Sequence, residues 1–510
     1  MYVVTGGEMH QIDRYTMDQI GLSEETLMES AGQAFVRHLL TSISKKDRVI
    51  VLIGSGNNGG DGFVIARLLA EKGFQLSTWV VPPKERIKGT AKKYMEIFER
   101  CGYTFDSYKQ NRERFTRSLS ECTIIVDALL GTGLKGRVRQ PYDEVIYTIN
   151  QFDKRVVSVD IPSGLSSNEG EEDVVGIYAD ETYTLQAPKV SRFLYPAASH
   201  YGVVHTLDIG IPTKVFREIA PNRRVITEER VRSTLASRPA NMHKGKAGRA
   251  LIIAGSETMT GAPVLATGAC LRSGAGLVTM AVPKSIHPLL SERITESTSI
   301  VLEEDQGEVS QVALTNDIPF RQFDGVAIGP GLGRKTDKTM FDTLQSYDGV
   351  VVVDADGLYH MSKELHHWFN QPRSAPTVIT PHMGEMAMLT GLSISELEQN
   401  RFKSSKDFAT KYQMYVVLKG PFTIVTTPNG NQWVNTTGNA SLAKGGSGDV
   451  LTGILLAFML QHDSLIEAIC NAVHIHGKLA DEMLETHDVF SVNATDLIHS
   501  LPRVLRSYRY

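Results

Sequence analysis

The sequence predicts two α/β domains in series, each built on a mainly parallel sheet, and three observations predict this. Its 510 residues exceed what one ordinary core accommodates. Short β-branched runs alternate with helical patterns in both halves, the rhythm of a parallel sheet covered on both faces. That rhythm pauses over residues 212–227, where charge and proline mix, and then restarts. The boundary is therefore placed there, giving an N-terminal domain over 1–215 and a C-terminal domain over 225–510.

In chain order, residues 13–40 read as amphipathic helices laid on the first sheet. A β-rich run at 49–53 is followed, after a glycine loop, by a helix over 63–71. Runs at 76–81, 123–127 and 156–160 are further strands, each ending near a polar or glycine-rich turn. A short strand near 205–209 closes that series. In the second half, strands are expected at 250–254, 277–282, 325–328, 350–354, 378–380 and 415–419. A β-hairpin over 422–434 turns at Pro428-Asn429-Gly430, and helices over 449–460 and 465–484 follow it.

The apolar share of 42% and the charged share of 22% are those of a soluble globular chain. A net charge of −4 argues against nucleic acid or an anionic membrane as the main partner, while leaving room for a local phosphate pocket. The cysteines at 101, 122, 270 and 470 form neither a CxxC pair nor a zinc spacing, as expected of reduced thiols. Glu8, Asp13 and Asp18 stand where a signal peptide would be basic and then apolar. The longest apolar stretch, around 450–460, is shorter than the about 20 residues a bilayer requires. A cytoplasmic protein acting on small molecules, with no membrane or nucleic-acid partner and assembled as a homo-oligomer, is expected.

The loop Gly54-Ser55-Gly56-Asn57-Asn58-Gly59-Gly60-Asp61-Gly62 contains G-x-G-x-x-G, the dinucleotide fingerprint. That fingerprint also expects an acid about 20 positions on, to hold a ribose. Here the run at 76–81 leads into two prolines, which disfavours an ordinary hydride-transferring enzyme. The glycines would still let backbone N–H groups approach an anion at a helix N-terminus. Asn57, Asn58 and Asp61 add oxygens that suit a ligand or a cation; Asp61 as a mere helix cap is the simpler alternative. Asp127 leads into Gly131-Thr132-Gly133-Leu134-Lys135-Gly136, and Asp160 leads into Ile161-Pro162-Ser163-Gly164. Ligands of open parallel sheets bind beyond the carboxyl ends of strands, so these loops converge on an acid/base site. Either aspartate alone is more commonly a cap or turn former; the coincidence of three loops favours function.

GSGNNGGDG, VDALLGTGLKG and SVDIPSG, in that order, resemble the NAD(P)H-hydrate epimerases over most of 1–215. The resemblance implies a Rossmann-like three-layer domain. It implies that Asn57, Asn58, Gly59, Gly60 and Asp61, with Gly131, Thr132, Gly133, Leu134, Lys135, Gly136 and Arg137, contact the hydrated nucleotide. Asn58, Asp127 and Ser163 would hold a potassium ion. Asp160 would contact substrate as the candidate acid/base, with Lys135 assisting. Leu27-Met28-Glu29-Ser30-Ala31-Gly32 matches the family's LMENAG except for Ser30 in place of asparagine.

In the second half, Gly445-Gly446-Ser447-Gly448-Asp449 precedes the apolar run at 450–460, setting glycine N–H groups and a carboxylate at a helix start. Phosphoryl transfer to a hydroxyl needs such an anion hole beside a base. A favourable first-turn acid is the plainer role for Asp449. Gly329-Pro330-Gly331-Leu332-Gly333, Pro381-His382-Met383-Gly384-Glu385 and Lys419-Gly420-Pro421-Phe422-Thr423 supply further loops at strand ends, and no Walker-A sequence occurs. With His243-Lys244-Gly245, Gly255-Ser256, Thr260-Gly261-Ala262-Pro263 and Asp354-Ala355-Asp356, the pattern resembles the ribokinase-like fold. More narrowly it resembles the ADP/ATP-dependent NAD(P)H-hydrate dehydratases, over roughly 225–510. By that resemblance Ala262, Gly331, His382 and Asp449 contact the hydrate, while Lys419, Gly420, Pro421, Phe422, Thr423 and Gly448 contact the nucleotide. Ser447 replaces the threonine of GGTGD and keeps a hydroxyl.

Together the resemblances imply repair of hydrated NADH and NADPH (NADHX and NADPHX). The N-terminal domain would interconvert the R and S epimers at the carbon-six hydroxyl. The C-terminal domain would phosphorylate the S form from ADP or ATP with magnesium, Asp449 acting as base, and phosphate would then be eliminated. A ribokinase-like small-molecule kinase fused to a nucleotide-binding or docking module is the alternative. The sequence leaves ADP against ATP, and NADHX against NADPHX, open.

Overall fold

A computed structural model describes residues 1–134, 136–170 and 175–509, and the chain divides into two compact units, Met1–Arg223 and Arg224–Tyr510. The seven-stranded sheet of the first unit is built from β1 (Arg48–Ile53), β2 (Gln75–Val80), β3 (Asp106–Ser107), β4 (Ile124–Ala128), β5 (Arg155–Val159), β6 (Glu181–Leu185) and β7 (Val203–Leu207). They pair in the order β3–β2–β1–β4–β5–β6–β7, every pairing parallel.

Strand β1 shows why the sheet is sandwiched. Val49, Val51 and Ile53 enter a core shared with Phe35, Val64 and Leu69, while Ile50 and Leu52 enter one shared with Phe115, Leu119 and Ile146. A strand alternates its side chains, so a run apolar at every position must be covered on both faces. The first face carries α1 (Gly6–Tyr15), α2 (Glu24–Leu39) and α3 (Asn57–Glu71). Thr5 and Glu8 close a capping box on α1, and Ser23 caps α2. The order of strands reverses between β1 and β4, and the loops leaving these two strands open the crevice where such sheets take ligands.

Two features differ from the sequence expectation. The helix expected over 63–71 begins at Asn57, so most of the glycine-rich segment is helix rather than loop. Its glycines serve contact: a Cβ on Gly59 would collide with the Gly54 carbonyl, and one on Gly60 with the Met28 sulfur. Strands β3 and β6 were not foreseen. In β6, Thr182 and Thr184 are fully buried polar residues, with the Thr182 hydroxyl donating to the Tyr201 carbonyl (2.7 Å). Hydrogen bonding makes that burial tolerable and hides it from a hydrophobic pattern.

The second unit contains β8 (Arg249–Ile253), β9 (Leu277–Pro283), β10 (Thr298–Leu302), β11 (Gly325–Ile328), β12 (Val350–Val353), β13 (Thr377–Ile379), β14 (Tyr415–Leu418), β15 (Ile424–Thr426) and β16 (Gln432–Val434). Their order is β16–β15–β14–β13–β12–β11–β8–β9–β10. The pairings are parallel except for the antiparallel run β14–β15–β16. The hairpin turns as expected, with Gly430 at φ 80° and its N–H donating to the Thr427 carbonyl (2.9 Å). Around the sheet lie α4 (Gly261–Arg272), α5 (Met383–Thr390), α6 (Ser447–Met459), α7 (Leu465–Met483) and α8 (Ala494–Arg509).

Helix α6 is buried from Val450 through Met459, packed among α4, α7 and α8, as a helix apolar on all sides must be. Gly453 permits its approach to α4, because a Cβ there would strike the Ala266 carbonyl. Strand β10 and helix α8 were not foreseen; Pro502 inside α8 reads as a breaker in sequence. Among the described residues no helix is long and apolar enough to cross a membrane.

Candidate active sites and family

At the carboxyl edge of the first sheet lies a cavity of ≈550 Å³. Asn57, Asn58, Asp61, Gly131, Thr132, Gly133, Leu134 and Asp160 line it, together with Asp13, Glu24 and Lys189. Gly59, Gly60, Gly136 and Arg137 are not among its walls; the first two are absorbed in packing. Lys135 lies outside the described residues. Asn57 is held in place by the Glu24 carboxylate (2.7 Å), which also accepts from the Thr90 hydroxyl.

Asp160 sits where β5 ends, in a left-handed conformation (φ 67°) inside a three-residue turn closed by the Ile161 N–H on the Val159 carbonyl (2.9 Å). Such a turn is strained for a residue with a side chain, and strain of this kind gathers at functional sites. Strand β6 ends in a similar turn at Gln186 (φ 62°). The chain then returns to place the buried Lys189 ammonium in direct contact with Asp160 Oδ1, which also accepts from the Leu185 N–H (3.0 Å). Burial holds the Asp13 carboxyl up at about 6, with Asp160 and Glu24 adding to the rise and Lys189 opposing it. Burial, reinforced by Asp160, Asp13 and Glu24, holds Asp61 well above the usual carboxylate range.

Below these groups Asp127 is fully buried, its oxygens accepting from Ser158 Oγ, Ser163 N and Oγ, and Leu129 N. Burial raises its pKa and these hydrogen bonds oppose the rise. Asn58 reaches the same place: Nδ2 donates to the Leu130 carbonyl (3.0 Å), and its buried Oδ1 has no hydrogen-bond partner. Ser163 Oγ meets the same carbonyl at 3.1 Å. A buried carboxylate, an orphaned amide oxygen, a hydroxyl and a carbonyl form a set of hard oxygen donors that fits a monovalent cation.

In the second unit the loops assemble around the start of α6. Gly329 (φ 122°) lies against the Asp354 carbonyl, and Gly331 (φ 62°) against Ala262 and Met259, which brings Ala262 and Gly331 together. His382 caps α5: its Nδ1 accepts from the Glu385 N–H (3.2 Å) while Glu385 accepts from the His382 N–H (2.8 Å). Lys419, at the end of β14, donates to Asp354 Oδ1 (2.9 Å) and lies 3.8 Å from Glu385; Thr452 of α6 donates to Asp354 Oδ2 (2.8 Å). Burial opposes both charges of the Lys419–Asp354 pair, yet their attraction prevails, lowering Asp354 and raising Lys419. Asp449, in the first turn of α6, is pushed up to about 7 by burial and by Asp354, with Lys419 opposing. The rest of the 419–423 loop is held from beneath by the buried Arg401, which donates to the Phe422 carbonyl (2.9 Å) and abuts Gly420.

Lys189 and Asp13 were missed in the sequence. Recognising β6 would have placed Lys189 just beyond a strand's carboxyl end. Nothing local marks Asp13, which reaches the cavity only through the packing of α1.

Comparison with known proteins adds the identity. Residues 250–503 match a family model described as NAD(P)H-hydrate dehydratase, and residues 24–191 match the YjeF-related protein N-terminus. A bifunctional NAD(P)H-hydrate repair enzyme of Moorella thermoacetica is 35% identical over 99% of this chain and 97% of its own. The chain belongs to the bifunctional NAD(P)H-hydrate repair enzymes. Another member, from Thermofilum pendens, is 34% identical over 100% of this chain and 97% of its own. The crystal structure of ADP/ATP-dependent NAD(P)H-hydrate dehydratase from Bacillus subtilis, co-crystallized with ATP/Mg2+, is 33% identical, with a TM-score of 0.49, over 56% of this chain and 99% of that one. The repair enzyme joins an epimerase domain to an NAD(P)H-hydrate dehydratase domain.

Proposed function

We propose that the cavity of the first unit interconverts the R and S epimers of NADHX and NADPHX, with Asp160 exchanging protons at substrate, and that the second unit dehydrates the S form. The observation that carries the reading is Asp449, a carboxyl with no hydrogen-bond partner among the described residues, held at about 7 at the start of a glycine-led helix. A base of that strength accepts the proton of the carbon-six hydroxyl as its oxygen attacks the terminal phosphorus of ADP or ATP. The Gly445–Gly448 segment and the dipole of α6 receive the phosphates. The carbon–oxygen bond then breaks with phosphate as leaving group, carbon five loses a proton, and the ring double bond returns. Hydroxide alone leaves poorly, which is why a phosphoryl group is consumed.

In this reading Ala262, Gly331 and His382 face the hydrate, and Lys419–Thr423 with Gly448 face the nucleotide. The geometry adds a duty to Lys419, which through Asp354 sets the charge around Asp449. Among the described residues no group of three His, Cys, Asp or Glu side chains stands ready for a metal, which suits magnesium carried in on nucleotide phosphates. When bound, it neutralises their charge. In the first unit Asn58, Asp127 and Ser163 would hold potassium, which offsets the buried Asp127 charge and ties the three substrate loops together. A cytoplasmic homo-oligomer with domains over 1–215 and 225–510 completes the proposal.

The test is recovery of NADH absorbance from an R/S mixture of hydrated NADH with ATP or ADP, magnesium and potassium. Full recovery is expected from the intact chain, recovery of the S fraction alone from Asp160→Asn, and none from Asp449→Asn. A stable phosphorylated product in place of inorganic phosphate would favour the kinase alternative.

A further inference from the structure

We propose that Asp13 is a second catalytic carboxyl of the epimerase cavity, alternating with Asp160 as proton donor and acceptor at the carbon-six hydroxyl, with Lys189 fixing which of the two starts unprotonated. The inference rests on the epimerase reading of the first unit.

The geometry begins with the way α1 is fastened. The Val4 N–H donates to the Pro188 carbonyl and the Val190 N–H to the Val4 carbonyl, each at 3.0 Å, so the residue just before the α1 cap brackets Lys189. At the helix start, the Gly6 N–H donates to Asn168 Oδ1 (3.0 Å), and Gly6 lies against Ser167, in the loop that follows Asp160. Both segments that build the Lys189–Asp160 pair therefore also set the position of α1. Two turns along that helix, Asp13 enters the cavity wall beside Asp160, Lys189 and Asp61.

The two carboxyls differ in surroundings. Asp160 is pinned by Lys189 and by the Leu185 N–H. Asp13, half-buried, has no hydrogen-bond or ion-pair partner among the described residues. The groups facing it are Lys189, Asp160, Asp61, Glu24 and His10. Three of these are further carboxylates against a single lysine, so the cluster retains protons, most firmly at the buried Asp61 and next at Asp13. Burial, with Asp160 and Glu24 adding to it and Lys189 opposing, holds Asp13 at about 6.

The chemistry matches one protonated and one ionised carboxyl. Asp13 gives its proton to the carbon-six hydroxyl, and the carbon–oxygen bond breaks as the ring-nitrogen lone pair forms a nitrogen–carbon double bond, releasing water. Water adds to the opposite face of carbon six, the double-bond electrons return to nitrogen, and the surplus proton passes to Asp160. Water lost equals water gained, no electron is transferred to another molecule, and the reverse epimerisation runs with the two carboxyls exchanged.

The intact chain tests this, with R-NADHX as substrate, the epimers separated by chromatography, and dehydration of pure S-NADHX with ATP as the control for folding. Asp13→Asn should lower epimerase kcat by about 100-fold or more with KM changed by no more than about threefold, and leave dehydration unchanged. A proton donor works only while protonated, so kcat of the parent chain should fall as pH rises through about 6; Asp13→Asn should lose that limb. Lys189→Met should move the limb to higher pH, because Lys189 holds the Asp13 value down. Asp13→Asn with kcat within about fivefold of the parent, or a loss confined to Asp61→Asn, overturns the proposal. A parent chain that epimerises no faster than the uncatalysed reaction fails the epimerase reading itself, and does so before any variant is compared.

Discussion

Asp449 and Lys419 illustrate how a few groups set a reaction's pH dependence. A base must be unprotonated to act, so dehydratase kcat should rise as pH rises through about 7, where burial and Asp354 have moved Asp449; a pH–rate profile on S-NADHX checks this. Lys419→Met removes the cation that pulls Asp449 down, so the same limb should move to higher pH. It also leaves Asp354 buried without its partner, which costs about 3–5 kcal/mol of stability and is measurable by denaturant unfolding. An unchanged limb would mean that Lys419 serves only the nucleotide. Asp449, Asp160 and Lys419 could be nominated from sequence because each stands at a strand or helix boundary in a loop that contains glycine. Asp13 and Lys189 could not, since an acid inside an amphipathic helix and a lysine after an unnoticed strand look like ordinary surface residues.

Loops are held by elements remote in sequence. Behind the 329–333 loop, Glu308 accepts from the Lys335 N–H, the Thr336 N–H and hydroxyl, and the Lys338 ammonium (2.8 Å), all but sealed from solvent. Burial alone would raise the Glu308 pKa, but these donors outweigh it and hold it down to about 2. The sign follows: this contribution to stability is complete above the ordinary value near 4.5 and is lost as pH falls toward about 2. Glu308→Gln should therefore flatten the acid limb of the stability profile, as read by urea unfolding at stepped pH. Lys338→Met, which strands the carboxylate, should cost about 3–5 kcal/mol. Helix boundaries are hard to see in the sequence for a related reason. The start of α3 is glycine-rich because helix and loop backbones touch there, and glycine in sequence normally signals the opposite.

Each of the two units has its own core and its own sheet edge of loops. Saturating nucleotide should therefore stabilise the second unit selectively: at about 100 times its Kd the gain is about 2.7 kcal/mol. Calorimetry should show one transition moving and the other fixed. A single transition moving as a whole would show that the units unfold together. The succession of α/β segments and the loops bearing Asp160 and Asp449 were legible along the chain, because strand periodicity, glycine punctuation and local motifs are properties of neighbouring residues. Strand β6, helix α8, the Lys189–Asp160 pair, the entry of Asp13 into the cavity and the Glu308 clamp were not. Each depends on burial or pairing across tens of residues, and a polar side chain discloses its partner only when folding removes water from around both.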